Sequence, residues 1–426
     1  MPEISRFRSR SVLRLFLLST AYCLLSAFPE PAHAQPFSQK GFLDARGTAY
    51  PQEAENDTTQ LVGEFLLRYE AAAKPWPWLK VTGGLDLRAD THDQTDDSWT
   101  LNWDDRGVQR PRLSVRRMNA TVSRCPVTLE LGKQFVRWGK ADVLNPTDRF
   151  APRDFLNVFD SDLLGVTGAR AIVGRQTDTL DVVWVPWFTP SRTPLPGQRW
   201  APEVEVPEGV RVVDAGRTIP NGSQVGARWN HVGSGFEFSL SGFSGYNHLA
   251  GVEARLDPSA FPPTVGAGLF YPRILTAGAD AAIPLSALTL KAEAAYFGSD
   301  DARVDEYVLY VIQLERQAGE WFFVGGYAGE AIVTDRPGVS FARDRGLTKA
   351  FLGRAGYTID TNRSVAVEGA VRQDVSGHWL RAEYSQASGQ HLRVTVQGSW
   401  IRGEPDDFFG RYARNSNVTA TVRYSF

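Results

Sequence analysis

The stretch Asn417-Val418-Thr419-Ala420-Thr421-Val422-Arg423-Tyr424-Ser425-Phe426 decides how the chain is read. Val418, Ala420, Val422, Tyr424 and Phe426 fall on one parity, and Thr419, Thr421, Arg423 and Ser425 on the other. Successive side chains of a strand point to opposite faces, so this segment is a strand with one apolar and one wet face. Residues 392–400 repeat the pattern, with Leu392, Val394, Val396 and Trp400 opposed to Arg393, Thr395, Gln397 and Ser399. Residues 288–296 do so again, as do 79–89 and 225–229, and segments of about ten residues of this kind recur from Gly41 onward.

The apolar faces are rich in Ala, Gly and Val, with aromatics near strand ends. Trp78, Trp229, Tyr296, Tyr357, Trp400, Tyr424 and Phe426 stand where the two interfacial girdles of a membrane barrel would lie. Connections alternate in length. Short ones fall at 124–126, 231–235, 284–287, 317–320 and 360–363, and long ones at 91–109, 138–165, 189–223, 247–271, 331–347 and 401–416. A soluble sandwich has no reason to sort its loops by parity, whereas outer-membrane barrels put short turns on the periplasmic side and long loops outside. Strands are expected at 41–50, 59–70, 78–90, 110–122, 127–137, 166–174, 180–188, 224–231, 236–246, 272–283, 288–297, 306–316, 321–331, 348–358, 364–373, 379–385, 391–401 and 417–426. That is about eighteen, an even number, with both termini in the periplasm. Lipid offers no hydrogen-bond partners, so such a sheet must close. The fold expected is an all-β transmembrane antiparallel barrel.

Composition agrees. Of 426 residues, 42% are hydrophobic and 22% charged, and 46 Lys and Arg nearly cancel 48 Asp and Glu, which fits neither a disordered chain nor a polybasic nucleic-acid binder. Arg6, Arg8, Arg10 and Arg14 precede an apolar stretch from Leu15 to Phe28, and Ala32-His33-Ala34 follows, so residues 1–34 read as a cleaved signal peptide of the general secretory route. Its removal leaves 42 basic and 46 acidic residues and a single cysteine, Cys125, so no intramolecular disulfide is possible. Residues 35–426 are expected to be one barrel.

The closing Val422-x-Tyr424-x-Phe426, with its terminal aromatic, resembles the C-terminal signal that Gram-negative outer-membrane barrels present to their assembly machinery. Porin-like barrels are what nearly the whole mature chain resembles. The stretch from Leu131 to Asp148 (LGKQFVRWGKADVLNPTD) is similar to a strand-loop segment of uncharacterised barrels of the DUF1302 type. The resemblance implies residence in the Gram-negative outer membrane, with its lipids, lipopolysaccharide and the assembly machinery as partners.

A barrel of this size leaves room for an aqueous lumen. Alternation places charges of both signs inside, among them Asp44, Arg46, Glu64, Arg68, Asp86, Arg88, Glu130, Gln134, Arg170, Arg228, Asp280, Lys291, Glu293, Arg354, Glu368, Arg372, Arg381, Arg393 and Arg423. Charges that merely pair across the wall are the plainer reading. Arg354, Arg372, Arg381, Arg393 and Arg423 nonetheless gather on the later strands, and a guanidinium fork suits carboxylate or phosphate, so a mild anion preference is expected. In 110–122, Leu113 and Val115 share one parity and Met118, Ala120 and Val122 the other, which a bulge near Arg116-Arg117 would reconcile. The connection 138–165 is dense in turn residues. By analogy with porins it is expected to fold inward, with Asp148, Arg149, Arg153 and Asp154 at a constriction, while 189–223 reads as an irregular outer cap.

No Gly-x-Ser-x-Gly occurs and the histidines are scattered, so no catalytic residue, metal site or cofactor is assigned. The function expected is passive diffusion of small hydrophilic solutes. Export of an acidic polysaccharide, and a plugged structural or adhesive barrel, are the alternatives.

Overall fold

A computed structural model describes residues 37–142, 144–175, 177–201, 209–336, 338–340 and 343–426, so the expected signal peptide lies outside the described residues. The chain divides into Met1–Ser38 and a barrel unit, Gln39–Phe426.

Eighteen strands form the wall. They are β1 (Phe37–Ala49), β2 (Leu61–Trp76), β3 (Leu79–Asp90), β4 (Leu113–Arg124), β5 (Val127–Gln134), β6 (Val166–Gly174), β7 (Asp178–Val185), β8 (Gln224–Gly233) and β9 (Phe236–Tyr246). β10 (Arg273–Pro284), β11 (Thr289–Gly298), β12 (Glu306–Ala318), β13 (Trp321–Thr334), β14 (Ala350–Asp360), β15 (Arg363–Arg372), β16 (His378–Ser388), β17 (Leu392–Arg402) and β18 (Asn417–Ser425) complete it. Each pairs with the next, and β1 pairs antiparallel with β18 from Phe42↔Ser425 to Ala49↔Val418, so the sheet has no free edge. Phe426 extends this closure by exchanging two backbone hydrogen bonds with Gly41, of 2.9 and 3.0 Å. The number of strands is the one expected, and β2 runs six residues further than its pattern suggested. Turns of two to four residues alternate with longer connections throughout.

Exposure separates the faces. On β8, Val225, Ala227 and Trp229 are exposed while Gln224, Gly226 and Arg228 between them are not. Leu240, Leu275, Ile312, Phe351, Leu380 and Val418 likewise lie on the exposed face. Large apolar side chains turned outward around a closed sheet match a hydrocarbon surrounding, where backbone polarity is hidden in the ladder. The opposite parity lines the interior. The phase break in β4 is a bulge: Gly84 pairs with Arg117 and Leu85 with Val115, leaving Arg116 as the extra residue.

The interior is filled in part by connections. Leu144, Val158, Phe159, Trp200, Phe409 and Tyr412 pack with Ala328, Leu352, Ala370 and Ile401 of β13, β14, β15 and β17. The 189–223 connection departs from the irregular cap expected of it. Its Arg211–Thr218 forms a strand parallel to Thr264–Phe270, in a four-stranded sheet with Gly251–Asp257 and Val339–Ser340, and its Arg192, Arg199 and Trp200 are buried. Val210, Val212 and Val213 give this stretch the β-branched content of a strand, which the surrounding prolines obscured.

Candidate functional site

Two of the charge-lined cavities hold several of the residues singled out above. The larger, about 280 Å³, is bounded by Arg46, Arg68, Arg88, Arg110 and Arg423 and by Asp44, Glu64, Asp90, Asp160 and Asp162. The side chains from β1, β2, β3 and β18 share the inward parity, and the register sets opposite charges across from one another. Arg68 stands opposite Asp86 and makes a two-pronged contact of 2.8 Å, and Arg423 does the same with Asp44 at 2.7 and 2.6 Å. Asp162, from the 135–165 connection, receives Arg68 at 2.8 Å and Arg116 at 3.0 Å, with Arg88 at 3.6 Å. Burial pushes its carboxyl up, but the Arg116, Arg68 and Arg88 charges overcome that and hold it well below the usual carboxylate range. Five cations and five anions line this cavity, so it is polar and close to neutral.

The smaller cavity, about 190 Å³, differs. Arg149 and Arg153 line it with Asn145, Asp148, Ser161, Ser191, Asn247 and His248, among others. Arg149 donates to the Asn145 carbonyl at 3.3 Å and lies over the Phe297 ring at 4.7 Å, and Arg153 reaches the Ser161 hydroxyl at 3.5 Å. Among the described residues neither guanidinium has a carboxylate oxygen within the 4.0 Å of an ion pair. Burial raises the Asp148 carboxyl above its ordinary value despite Arg149 and Arg153, and Asp142 and Asp344 line the same cavity. His248, buried, is pushed down to about 4 by desolvation and stays neutral. Ser161 lines both cavities.

The 135–165 connection is tied to inward side chains at distant places on the wall. Glu293 of β11 accepts the Lys140, Ala141 and Thr147 amides at 3.0, 3.2 and 2.8 Å and the Thr147 hydroxyl at 2.8 Å. Gln313 of β12 accepts the Asp142 amide at 3.0 Å. Arg46 of β1 donates to Asp160 at 2.7 Å, and Arg381 of β16 to the Phe159 carbonyl at 3.1 Å. The Phe159 ring stacks on Trp379 and Phe409, with centroids 5.4 and 5.9 Å away.

The residues singled out by sequence are thus dispersed. Asp148, Arg149 and Arg153 share one cavity, but Asp154 is turned away from it, gripped by Arg110 at 2.9 Å and Arg192 at 3.2 Å. Arg88 belongs to the larger cavity. Glu130 pairs with Arg170 at 3.6 Å, Arg170 mainly with Asp181 at 2.7 Å, and Arg228 with Asp280 at 2.9 Å, while Gln134 is buried against the Gly168 carbonyl. The later-strand arginines form no single cluster. Arg354 and Arg381 share Glu368, Arg372 holds Asp374, Arg423 holds Asp44, and Arg393 reaches the Ser385 hydroxyl at 3.0 Å. The denser group is Arg46, Arg68, Arg88, Arg110 and Arg116 on the first strands and their loop. Parity foretold three of these. Arg110 and Arg116 were not foretold, because a loop position and a bulge carry no parity.

Solved structures supply the comparison. The chain superimposes on OccAB4 of Acinetobacter baumannii with a TM-score of 0.55 at 9% identity, covering 93% of this chain and 100% of that one. A BenF-like porin of Pseudomonas fluorescens Pf-5 gives 0.54 at 11% identity, covering 92% and 97%. The outer-membrane protein OpdK of Pseudomonas aeruginosa, in a structure with vanillate, gives 0.52 at 11% identity, covering 91% and 98%. No protein-family model matches, so the likeness of 131–148 to DUF1302-type barrels stands on that segment alone, and no curated protein matches in sequence. Closed wall, outward apolar belt, alternating turns and loops, and superposition over nine-tenths of its length together give this chain the eighteen-stranded fold of outer-membrane porins.

Proposed function

We propose that the protein resides in the Gram-negative outer membrane, exported on its first 34 residues, and lets small hydrophilic solutes diffuse through its lumen with a preference for anions. The observation that supports the preference is the pair Arg149 and Arg153, two guanidiniums over one cavity that have no ion-pair partner among the described residues, while of the carboxylates lining it Asp142 is paired with Lys291. In a low-dielectric wall an unmatched cation attracts an anion far more strongly than a paired one does. Carboxylates fit the planar fork, and OpdK, whose structure contains vanillate, a small aromatic carboxylate, shares the fold. The 135–165 connection narrows the passage, and its ties to Glu293, Gln313 and Arg46 support that role. Lipid and lipopolysaccharide surround the belt, and the terminal Phe426 presents the strand to the assembly machinery. The balanced charges of the larger cavity argue against a conduit for an acidic polysaccharide.

Reversal potentials in a KCl gradient test this. Wild type should favour chloride, and Arg149→Gln with Arg153→Gln should move the potential toward zero. Cation selectivity in wild type overturns the preference, and a barrel that passes no current in planar bilayers is plugged and overturns the channel.

A further inference from the structure

The charges of the larger cavity are matched to one another. Arg46, Arg68, Arg88, Arg110 and Arg423 each have a carboxylate oxygen at 2.9 Å or closer. One acceptor is left over. Asp90, at the loop end of β3, takes the His92 and Gln94 amides on one oxygen at 2.7 and 3.0 Å, while its other oxygen is buried and receives no hydrogen bond among the described residues. A buried carboxylate oxygen without a donor is costly, so a donor that enters this cavity gains there.

A third cavity, of about 40 Å³, adjoins it and shares Arg46, Glu64, Arg110 and Asp160 with it. Thr48, Ser399, Asn417 and Thr419, from the loop-side halves of β1, β17 and β18, line it with uncharged polar groups. Trp379 of β16 lines it too. Its ring stacks on Phe159 at 5.4 Å, and its indole N–H is buried without an acceptor among the described residues. The two adjoining cavities thus hold one unanswered acceptor and one unanswered donor, between β1–β3 and β16–β18. No residue lining the third cavity lines the one at Arg149 and Arg153.

Such a lining selects by charge. An anion finds no unclaimed guanidinium, since Arg381 of the third cavity is also held, by Glu368 at 3.4 Å. A cation that answered Asp90 would stand among five guanidiniums. A hydroxyl carries no charge, donates to a carboxylate and accepts from an indole, and its hydrogen bond to a charged group is stronger than one between neutral groups. A ring with several hydroxyls presents both functions at once, and about 280 Å³ is close to the lower end of what small-ligand sites enclose.

We propose that the two adjoining cavities form a binding site for uncharged cyclic polyols of monosaccharide size, apart from the anion passage at Arg149 and Arg153. It shares with the reading above only a lumen open to solutes. Hydroxyls of the polyol donate to Asp90 and accept from Trp379 and from guanidinium N–H groups that the ion pairs leave over.

Saturation-transfer NMR tests this with myo-inositol, an uncharged ring of six hydroxyls, on the full chain in lauryldimethylamine oxide micelles, whose head group is no sugar. Wild type should transfer saturation to myo-inositol, and excess gluconate should not displace it. cis-Cyclohexane-1,2-diol, the same ring with two hydroxyls, should bind about tenfold more weakly. In Asp90→Asn the carbonyl oxygen stays on the His92 and Gln94 amides and an amine replaces the unanswered oxygen; Trp379→Phe keeps a ring and loses the N–H. Each should weaken myo-inositol about five- to tenfold, with heat-modifiable electrophoretic mobility showing that the barrel has assembled. No transfer to myo-inositol, its displacement by gluconate, equal affinity for the diol, or wild-type affinity in both assembled variants overturns the site. If a variant does not assemble, the gluconate and diol comparisons on wild type decide. Current in planar bilayers is read separately: binding without current keeps the site and removes the channel, and current without binding does the reverse.

Discussion

Glu293 is the sharpest lever on the passage. It lies on β11, is 2% exposed, and its two oxygens accept four hydrogen bonds from the 135–165 connection, two each from Lys140/Ala141 and from Thr147. Hydrogen bonds to a charged group contribute roughly 1.5–3 kcal/mol each, less what water returns once the segment loosens, and removing one side of a buried charged contact costs about 3–5 kcal/mol. Glu293→Ala should therefore shift the balance between tethered and released connection by roughly 10²- to 10³-fold. Gln keeps one carbonyl oxygen and turns its amine toward N–H donors, so Glu293→Gln should lose about half of that energy. Single-channel recording in planar bilayers reads the effect as larger unitary conductance and added current noise, in the order Ala, Gln, wild type. The thermal transition of the barrel, held by the strand ladders, should move little. A conductance and noise level in Glu293→Ala equal to wild type would refute the tethering argument.

Three further outcomes are expected. Asp154, buried between Arg110 and Arg192, is held down to about 2 despite desolvation; a carboxyl lowered on folding contributes stability that is complete above its ordinary value of 3.8 and lost as pH falls toward 2, here on the order of 2 kcal/mol. Acid titration followed by tryptophan emission should show loosening of the connections in that window, and Asp154→Asn should abolish the transition. Deleting Arg116 should leave a folded barrel with a regular ladder, since it is the unpaired residue of the bulge, whereas deleting Thr121 forces one part of β4 onto the wrong face; heat-modifiable electrophoretic mobility distinguishes them. A Cβ at Gly41 would lie 2.6 Å from the Phe426 ring and 2.8 Å from the Arg68 carbonyl, so Gly41→Val should impair closure of β1 on β18, visible as a lower yield of the heat-modifiable form. A normal yield would show that the closing seam tolerates the bulk.

The wall was legible in the residues because its code is local. Parity along 417–426 or 392–400 says which side chain meets lipid, and it holds for every strand whatever its neighbours are, since lipid is the same all round the barrel. The bulge at Arg116 was legible for the same reason, as a change of phase within one segment. What parity cannot say is which inward charge meets which. Arg68 finds Asp86 through strand register, yet it also finds Asp162 across 94 residues of sequence, and Asp154 is held by Arg110 and Arg192 from two other connections. The aromatic packing of Phe159 with Trp200, Trp379 and Phe409 arises likewise from connections that return against the wall. Those contacts depend on where long chain segments return in space, and a connection has no periodic environment to write that address into its sequence.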